Sequence, residues 1–329
     1  PVVQIRDSLG DTRTRYDENT KVAYTGPLTV LVSRYSASAS EIVAGALQNH
    51  SRAVVIGDRT THGKGTVQAL FKVSNRSLFA QITYEKTGAA KITIQKFYLP
   101  NGSSTQHLGV SSDIAMDSIN HMLPIGESDL DNALPWDTIP HAKWEDNITG
   151  YPSITWTSSG LLEDLSSLSS IRQDTLREFD YTRDYIDWYE GVRNQETVSL
   201  NLDVRLQERS ENKERRDNMD ETLKSLAEDS YEFSEIKLKI TEEQDALAEQ
   251  FKKEIAEIRA EEPEELEPDS EDLASKENEL IEAEEELPDF DIYLREALRV
   301  TRDWVALNTG RIDMETLESS TTMQKANAL

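Results

Sequence analysis

A serine and a lysine 26 positions apart could together form a nucleophilic site. Ser38 lies in a run of small residues, and Lys64 lies between two glycines in Gly63-Lys64-Gly65. A serine hydroxyl becomes a nucleophile when a base takes its proton, and a lysine can be that base where burial keeps its amine uncharged. The pair therefore indicates attack on a carbonyl carbon with formation of an acyl-enzyme.

The segments on either side of Ser38 predict how it is positioned. The β-rich run 28–32 predicts a strand, and good helix formers over 40–49 predict a helix. A serine at such a turn lies beside N–H groups without intrahelical partners, which can stabilise an oxyanion. We predict that Ser38 is the nucleophile and that Ser40 or its neighbour caps the helix. The alternative, a Ser38 that is only a cap, stays open.

The base could also be one of five histidines, but none has a helical metal-ligand spacing or a triad motif, so solvated or capping roles are expected for them. They are His50, His62, His107, His121 and His141. Lys64 precedes a predicted strand over 66–73, and alternation along it would put Thr66 and Gln68 on the face of Lys64. Gln68 could then orient the lysine amine. The alternative for Lys64 is a surface lysine in a glycine turn.

The same glycines could suggest a phosphate-binding loop. Such a loop needs four residues between its glycines and a hydroxyl residue after the lysine. Five residues separate Gly57 from Gly63, and Gly65 follows the lysine. A nucleotide site is therefore the weakest alternative.

Several segments taken together resemble the tail-specific proteases, also called C-terminal processing peptidases, of the large periplasmic type. The resemblance spans most of the chain and includes the segment around Asp131 to Asp137 that is similar to a linker after the catalytic core. The segments that carry it are 36–42, 63–68, 92–98, 101–106, 109–114, 131–137 and 198–201.

The resemblance implies a role for each matching position. Ser38 matches the nucleophile, Lys64 the general base and Gln68 the residue that orients the lysine, while the backbone N–H of Ala39 would be one oxyanion donor. The second donor of the family is a glycine upstream of the region present here. Asn49 stands where some relatives have an aspartate, a departure that leaves both nucleophile and base in place.

The resemblance also implies a crotonase/ClpP-like α/β protease core followed by a mainly α-helical C-terminal domain. It implies an enzyme without cofactor or metal that cleaves protein substrates with apolar C-termini, in the bacterial periplasm or at its membrane. An adaptor protein on the helical domain is a further implied partner. Family members carry a signal segment and a PDZ domain before the core, so a chain that starts inside the core is expected. The alternative is a catalytically inactive scaffold.

Composition narrows the possible partners. The net charge is −27, and residues 241–290 hold 21 acidic against 4 basic residues. That segment has the composition of a solvated linker, and nucleic acid is not expected as a partner because it requires basic residues. The sequence has no cysteine and no apolar run of membrane-spanning length. Disulfides and thiolate chemistry are therefore excluded.

The chain is predicted to divide into a core, a linker and a helical domain. Residues 1–122 alternate strands with one helix, 123–160 form a linker that packs on the core, and 161–329 are helical with an acidic loop around 241–290. Further strands are predicted at 2–5, 53–56, 79–83 and 91–98. Leucines at 162, 165 and 168 and aromatic residues at 181, 185 and 188 indicate helices, and Trp136, Trp144 and Trp156 are expected to anchor the linker. A final amphipathic helix over 289–305 is predicted to dock on the helical domain through residues 292, 294, 297, 298, 300, 304 and 305.

Overall fold

The computed structural model describes residues 1–19, 21–72, 88–143, 157–227 and 290–309. They form two compact units, residues 1–200 with 291–329 and residues 201–290. The predicted strand at 79–83, the residues Trp144 and Trp156 and the acidic segment 241–290 lie outside the described residues. The division of the chain at residues 122 and 160 stays a prediction.

The described residues of the first half of the chain form a mixed α/β core with two sheets. A four-stranded antiparallel sheet has the order β2-β1-β6-β5, and a three-stranded parallel sheet has the order β3-β4-β7. The strands are β1 Val3–Asp7, β2 Thr12–Arg15, β3 Thr29–Val32, β4 Val54–Gly57, β5 Thr66–Lys72, β6 Ala89–Tyr98 and β7 Ile114–Ala115. The sequence missed β2 and β7, because β2 is polar and largely exposed and β7 has only two residues.

The parallel sheet and its crossover helix position the site. Helix α1, Ala39–Asn49, joins β3 to the buried strand β4, whose four residues belong to the core. Val32, Ala44, Val55, Leu99 and Val110 form one apolar cluster between helix and sheet. Because β3 and β4 are parallel, their carboxyl ends lie at the same edge, so the loops that follow them are neighbours. Those loops contain Ser38 and Lys64.

Helices form the second half of the larger unit, as predicted. They are α2 Ser159–Thr175, α3 Arg177–Arg193 and α5 Ile292–Asn308. Leu165 and Leu168 of α2 are fully buried, and the rings of Tyr185 and Trp188 in α3 lie 5.8 Å apart. The helical periods are thus confirmed. The smaller unit contains α4, Leu202–Ala227, a polar helix with its own side-chain pairs such as Arg205 with Glu208.

Helix α5 packs more widely than the sequence indicated. It contacts α2 and also the strands β3 and β4, where the hydroxyls of Thr301 and Thr29 lie 2.7 Å apart. Ile292, Val300 and Trp304 are buried as expected, whereas Val305 is 44% exposed, so its predicted docking role is wrong. No helix in the described ranges is long and apolar enough to cross a membrane.

The buried interface of α5 is strongly charged, which apolar periodicity could not reveal. The guanidinium of Arg172 in α2 donates to Glu296 at 2.7 Å and to Asp303 at 2.6 Å, and all three side chains are almost fully buried. Arg299 of α5 pairs in turn with Glu178 of α3. Burial lowers the pKa of Arg172, but the two carboxylates outweigh it and raise that pKa overall. The cluster therefore joins three helices through buried ion pairs.

Candidate active site

Ser38 sits in a strained turn at the start of α1. Its φ of 60° and ψ of −108° fall in a region that residues with a side chain rarely adopt. The helix begins at Ala39, so Ser38 itself is the N-cap residue and Ser40 lies inside the helix. The prediction that Ser40 caps the helix is therefore wrong. Strain of this kind often marks a functional residue.

Glu41 fixes this turn and joins it to the lysine loop. The side chain is fully buried in the first turn of α1, and its Oε2 accepts the backbone N–H of Ser38 at 2.8 Å and that of Lys64 at 3.0 Å. Its Oε1 accepts the Thr61 hydroxyl at 2.6 Å and the Gly63 N–H at 2.7 Å. Burial raises the pKa of Glu41, and these four donors lower it in part. One carboxylate thus sets the relative position of the two predicted catalytic loops.

The lysine loop is bounded by two close approaches that require glycine. Gly63 has a φ of +92°, and a Cβ there would lie 2.9 Å from the backbone of His107. A Cβ on Gly65 would lie 2.6 Å from the backbone nitrogen of Gln106. These two glycines therefore let the backbone fold tightly around Lys64.

The segment 104–106 holds this loop from the other side. The Thr105 hydroxyl donates to the Lys64 carbonyl at 2.9 Å, and Gln106 Oε1 accepts the Gly65 N–H at 2.9 Å. Gln106 Nε2 donates to Glu127 at 3.0 Å, so the loop is tied to the chain beyond the core. The sequence analysis included residues 104–106 only among the segments that carry the family resemblance and predicted no role for them.

Arg34 and Asn49 complete the support. The Arg34 guanidinium donates to the Thr60 hydroxyl at 2.7 Å and to the Thr61 carbonyl at 3.1 Å, which ties the loop after β3 to the loop after β4. At the end of α1, Asn49 Oδ1 accepts the Asn101 N–H at 3.0 Å. An amide oxygen serves here as acceptor just as a carboxylate oxygen would, which is consistent with Asn49 in place of aspartate.

A pocket of about 270 Å³ brings together all four residues singled out from the sequence. Ser38, Ala39, Lys64 and Gln68 line it with apolar walls and a second lysine. The remaining lining residues are Val3, Ile5, Ile42, Thr66, Val67, Lys91 and Phe97. A small, largely apolar pocket with a few converging polar groups is the usual form of a binding or catalytic site.

The predicted catalytic groups line the same pocket but are not hydrogen-bonded to one another. Within the described ranges, no hydrogen bond joins Ser38 Oγ to Lys64 Nζ or Gln68 to Lys64, and the Ala39 N–H has no acceptor. Catalytic hydrogen bonds are often loose without substrate. The roles of Ser38, Lys64, Gln68 and Ala39 in catalysis stay predictions.

Gln68 lies at a bulge in the pairing of β5 with β6. Val67 is opposite Gln95 and Gln68 is opposite Thr93, so the extra residue of the bulge is Ile94 in β6. Lys64, Thr66 and Gln68, which were predicted to share a face, all line the pocket, and Val67 lines it as well.

Comparison with known proteins assigns the family. The model of peptidase family S41 matches residues 1–116, and that of the C-terminal domain of tail-specific protease matches residues 121–306, more than half of the chain. The chain belongs to the tail-specific protease family. The match confirms the resemblance seen in the sequence and assigns residues 1–116 to peptidase family S41.

Individual relatives match mainly the core. The tail-specific protease of Haemophilus influenzae is 44% identical over 146 residues, which is 44% of this chain and 20% of that protein. The carboxy-terminal-processing protease of Bartonella bacilliformis is 37% identical over 110 residues, 32% of this chain and 23% of that protein. The chain thus spans about a fifth of the length of these relatives. The solved photosystem II D1 C-terminal processing protease is 32% identical and covers 35% of this chain and 27% of its own, with a TM-score of 0.27.

Proposed function

We propose that this chain carries the catalytic centre of a serine endopeptidase that acts through Ser38 and Lys64. An unprotonated Lys64 amine would take the proton of Ser38 Oγ as that oxygen attacks a peptide carbonyl. The resulting oxyanion would receive the Ala39 N–H, and Gln68 would orient the lysine. The amine would next protonate the leaving nitrogen and later activate the water that hydrolyses the acyl-enzyme.

The observation that carries this proposal is the shared pocket. Two loops from different strands, separated by 26 positions in sequence, place Ser38 and Lys64 on one pocket wall together with the unpaired Ala39 N–H. The lining residues include no Asp or Glu side chain that would form an ion pair with the lysine inside the pocket. The strained backbone of Ser38 adds support, because strain persists where the surroundings impose it.

The finer features of the function belong to the same proposal. The crotonase/ClpP-like class of the core, substrates with apolar C-termini, an adaptor on the helical region and a periplasmic or membrane-associated setting all come from the family. The apolar pocket walls formed by Val3, Ile5 and Phe97 suit an apolar substrate residue. The names of the matched relatives, tail-specific and carboxy-terminal-processing proteases, agree with such substrates.

Cleavage of an unstructured protein with an apolar tail tests the proposal. We expect the purified protein to cut it, and Ser38→Ala and Lys64→Ala each to lower the rate at least a hundredfold. Ser40→Ala is a matched control, since that exposed serine lies two residues away and outside the pocket. Undiminished cleavage by either active-site variant would refute the dyad.

An inactive scaffold is the second candidate, and the missing hydrogen bond between Ser38 and Lys64 favours it. A scaffold predicts no cleavage by the unaltered protein of any tail sequence. Binding of the tail to Ser38→Ala together with cleavage by the unaltered protein would exclude it.

A further inference from the structure

The pocket contains a second lysine that the proposed reaction does not use. Lys91 of β6 lines it together with Ser38, Lys64 and Gln68. Among the described residues, no hydrogen bond or ion pair engages the Lys91 side chain, and no acidic side chain lines the pocket. Because Lys64 is uncharged as the proposed base, Lys91 supplies the positive charge of the pocket, and a cation without an acidic neighbour favours an anionic group of a ligand.

The strand register fixes how far Lys91 lies along the sheet from Gln68, which lines the pocket together with Ser38 and Lys64. Lys91 is directly opposite Leu70 in the β5–β6 pair, and Leu70 is two residues beyond Gln68 along β5. Strand residues advance by about 3.4 Å each, so Lys91 is displaced by roughly 7 Å from the position of Gln68. An extended substrate covers that distance with two to three residues.

We propose that Lys91 is a specificity-determining residue that binds a carboxylate of the substrate two to three residues from the scissile bond. This inference rests on the proposed function, because it names a subsite of that same pocket. The apolar walls of the pocket would contact the neighbouring uncharged substrate residues, and the Lys91 ammonium would pair with the carboxylate. The carboxylate is either the terminal α-carboxylate of the substrate or an Asp or Glu side chain, which offer the same two oxygens.

Two properties of the contact follow from the exposure of Lys91 on its strand. A solvent-exposed ion pair changes affinity only modestly, so an acidic peptide is expected to bind about fivefold more tightly than its neutral counterpart. Salt screens such a pair, so the preference should shrink as ionic strength rises. Both properties separate this contact from an apolar preference, which salt does not weaken.

Peptide binding to the Ser38→Ala protein tests the subsite without requiring cleavage. The probes are fluorescein-labelled nonapeptides of alanine and valine that end in a free carboxylate or in an amide, and a set with one Asp or Asn at successive positions. We expect a preference of about fivefold for the acidic member of one pair. A preference for the free carboxylate over the amide identifies the α-carboxylate as the ligand of Lys91. A preference for Asp over Asn at one position identifies the Asp side chain as the ligand.

The variants decide whether Lys91 is responsible. Lys91→Gln should abolish the preference and Lys91→Arg should keep it, while Lys21→Gln, an exposed lysine outside the pocket, should leave it unchanged. Equal binding of acidic and neutral peptides, undetectable binding of all of them, or a preference that survives Lys91→Gln would overturn the inference. Parallel cleavage assays with intact Ser38 distinguish the two proposals. Peptides that bind through Lys91 but are never cut would contradict the proposed protease activity alone. Peptides that are cut without any preference for acidic members would contradict the Lys91 subsite alone.

Discussion

The buried carboxylate of Glu41 accepts the backbone N–H of Lys64 at 3.0 Å, across 23 positions of sequence. The same oxygen accepts the N–H of Ser38, so a single atom joins the loop of the predicted nucleophile to the loop of the predicted base. All four groups that face the carboxylate are donors. The arrangement therefore requires two oxygens that both accept.

Glu41→Gln should consequently be far more damaging than its small size change suggests. The amide nitrogen would face N–H donors, leaving at least one buried donor unpaired at a cost of about 2 kcal/mol or more. We expect the free energy of unfolding, measured with urea, to fall by that amount and peptide cleavage to fall in parallel. Glu163→Gln, at an exposed position of α2, is the control. Equal stability of the two variants would contradict the role given to Glu41.

Asn49 offers a milder test of a second support. Its side-chain oxygen accepts the Asn101 N–H, and a carboxylate can do the same. Asn49→Asp should change the free energy of unfolding by less than about 0.5 kcal/mol, whereas Asn49→Ala should lower it by about 1 kcal/mol. Urea unfolding of both variants measures the difference. A strongly destabilised Asn49→Asp would show that the amide nitrogen matters instead.

The contrast between Ser38 and Glu41 shows what the sequence could reveal. Residue type and a strand-to-helix context were enough to select Ser38 and Lys64, and both residues line the same pocket. Glu41 was missed although Ser38-x-x-Glu41 has the spacing of a capping box, in which the Glu side chain accepts the N-cap N–H. Attention to capping would have found it.

Other features depend on contacts that no local pattern encodes. The bulge at Ile94 in β6, opposite Val67 and Gln68, depends on how β5 and β6 pair, and the hydrogen bond from Gly65 to Gln106 spans 41 positions. Helical periodicity placed α5 but gave no sign of Arg172 and its acidic partners, because charged residues at helical spacing normally predict a solvated face. Tertiary packing decides such positions.

His62 should make the stability of the lysine loop depend on pH. Burial is the largest effect on His62 and lowers its pKa below 6.5. The negative charges of Glu127 and, more weakly, Asp129 raise that pKa, whereas the positive charges of Arg34 and Lys64 lower it further. Below pH 6.5 the unfolded chain takes up the proton first, so the contribution of His62 is complete above that pH and is lost as the pH falls. We expect the free energy of unfolding to decline less steeply below pH 6.5 in His62→Gln. Identical slopes for variant and unaltered protein would contradict this.

The charge cluster on α5 gives the largest expected effect on stability. Arg172→Met would leave the buried carboxylates of Glu296 and Asp303 without their main partner, at a cost of about 3 kcal/mol or more in the free energy of unfolding. Replacing all three by Met, Leu and Leu removes the charges together and should recover most of that loss. Arg205→Ala, which breaks an exposed pair with Glu208 in α4, should cost less than about 0.5 kcal/mol. Thermal and urea unfolding measure the relative stability of the variants. A triple variant as unstable as Arg172→Met would mean that packing geometry, and not the unpaired charge, limits the stability of this interface.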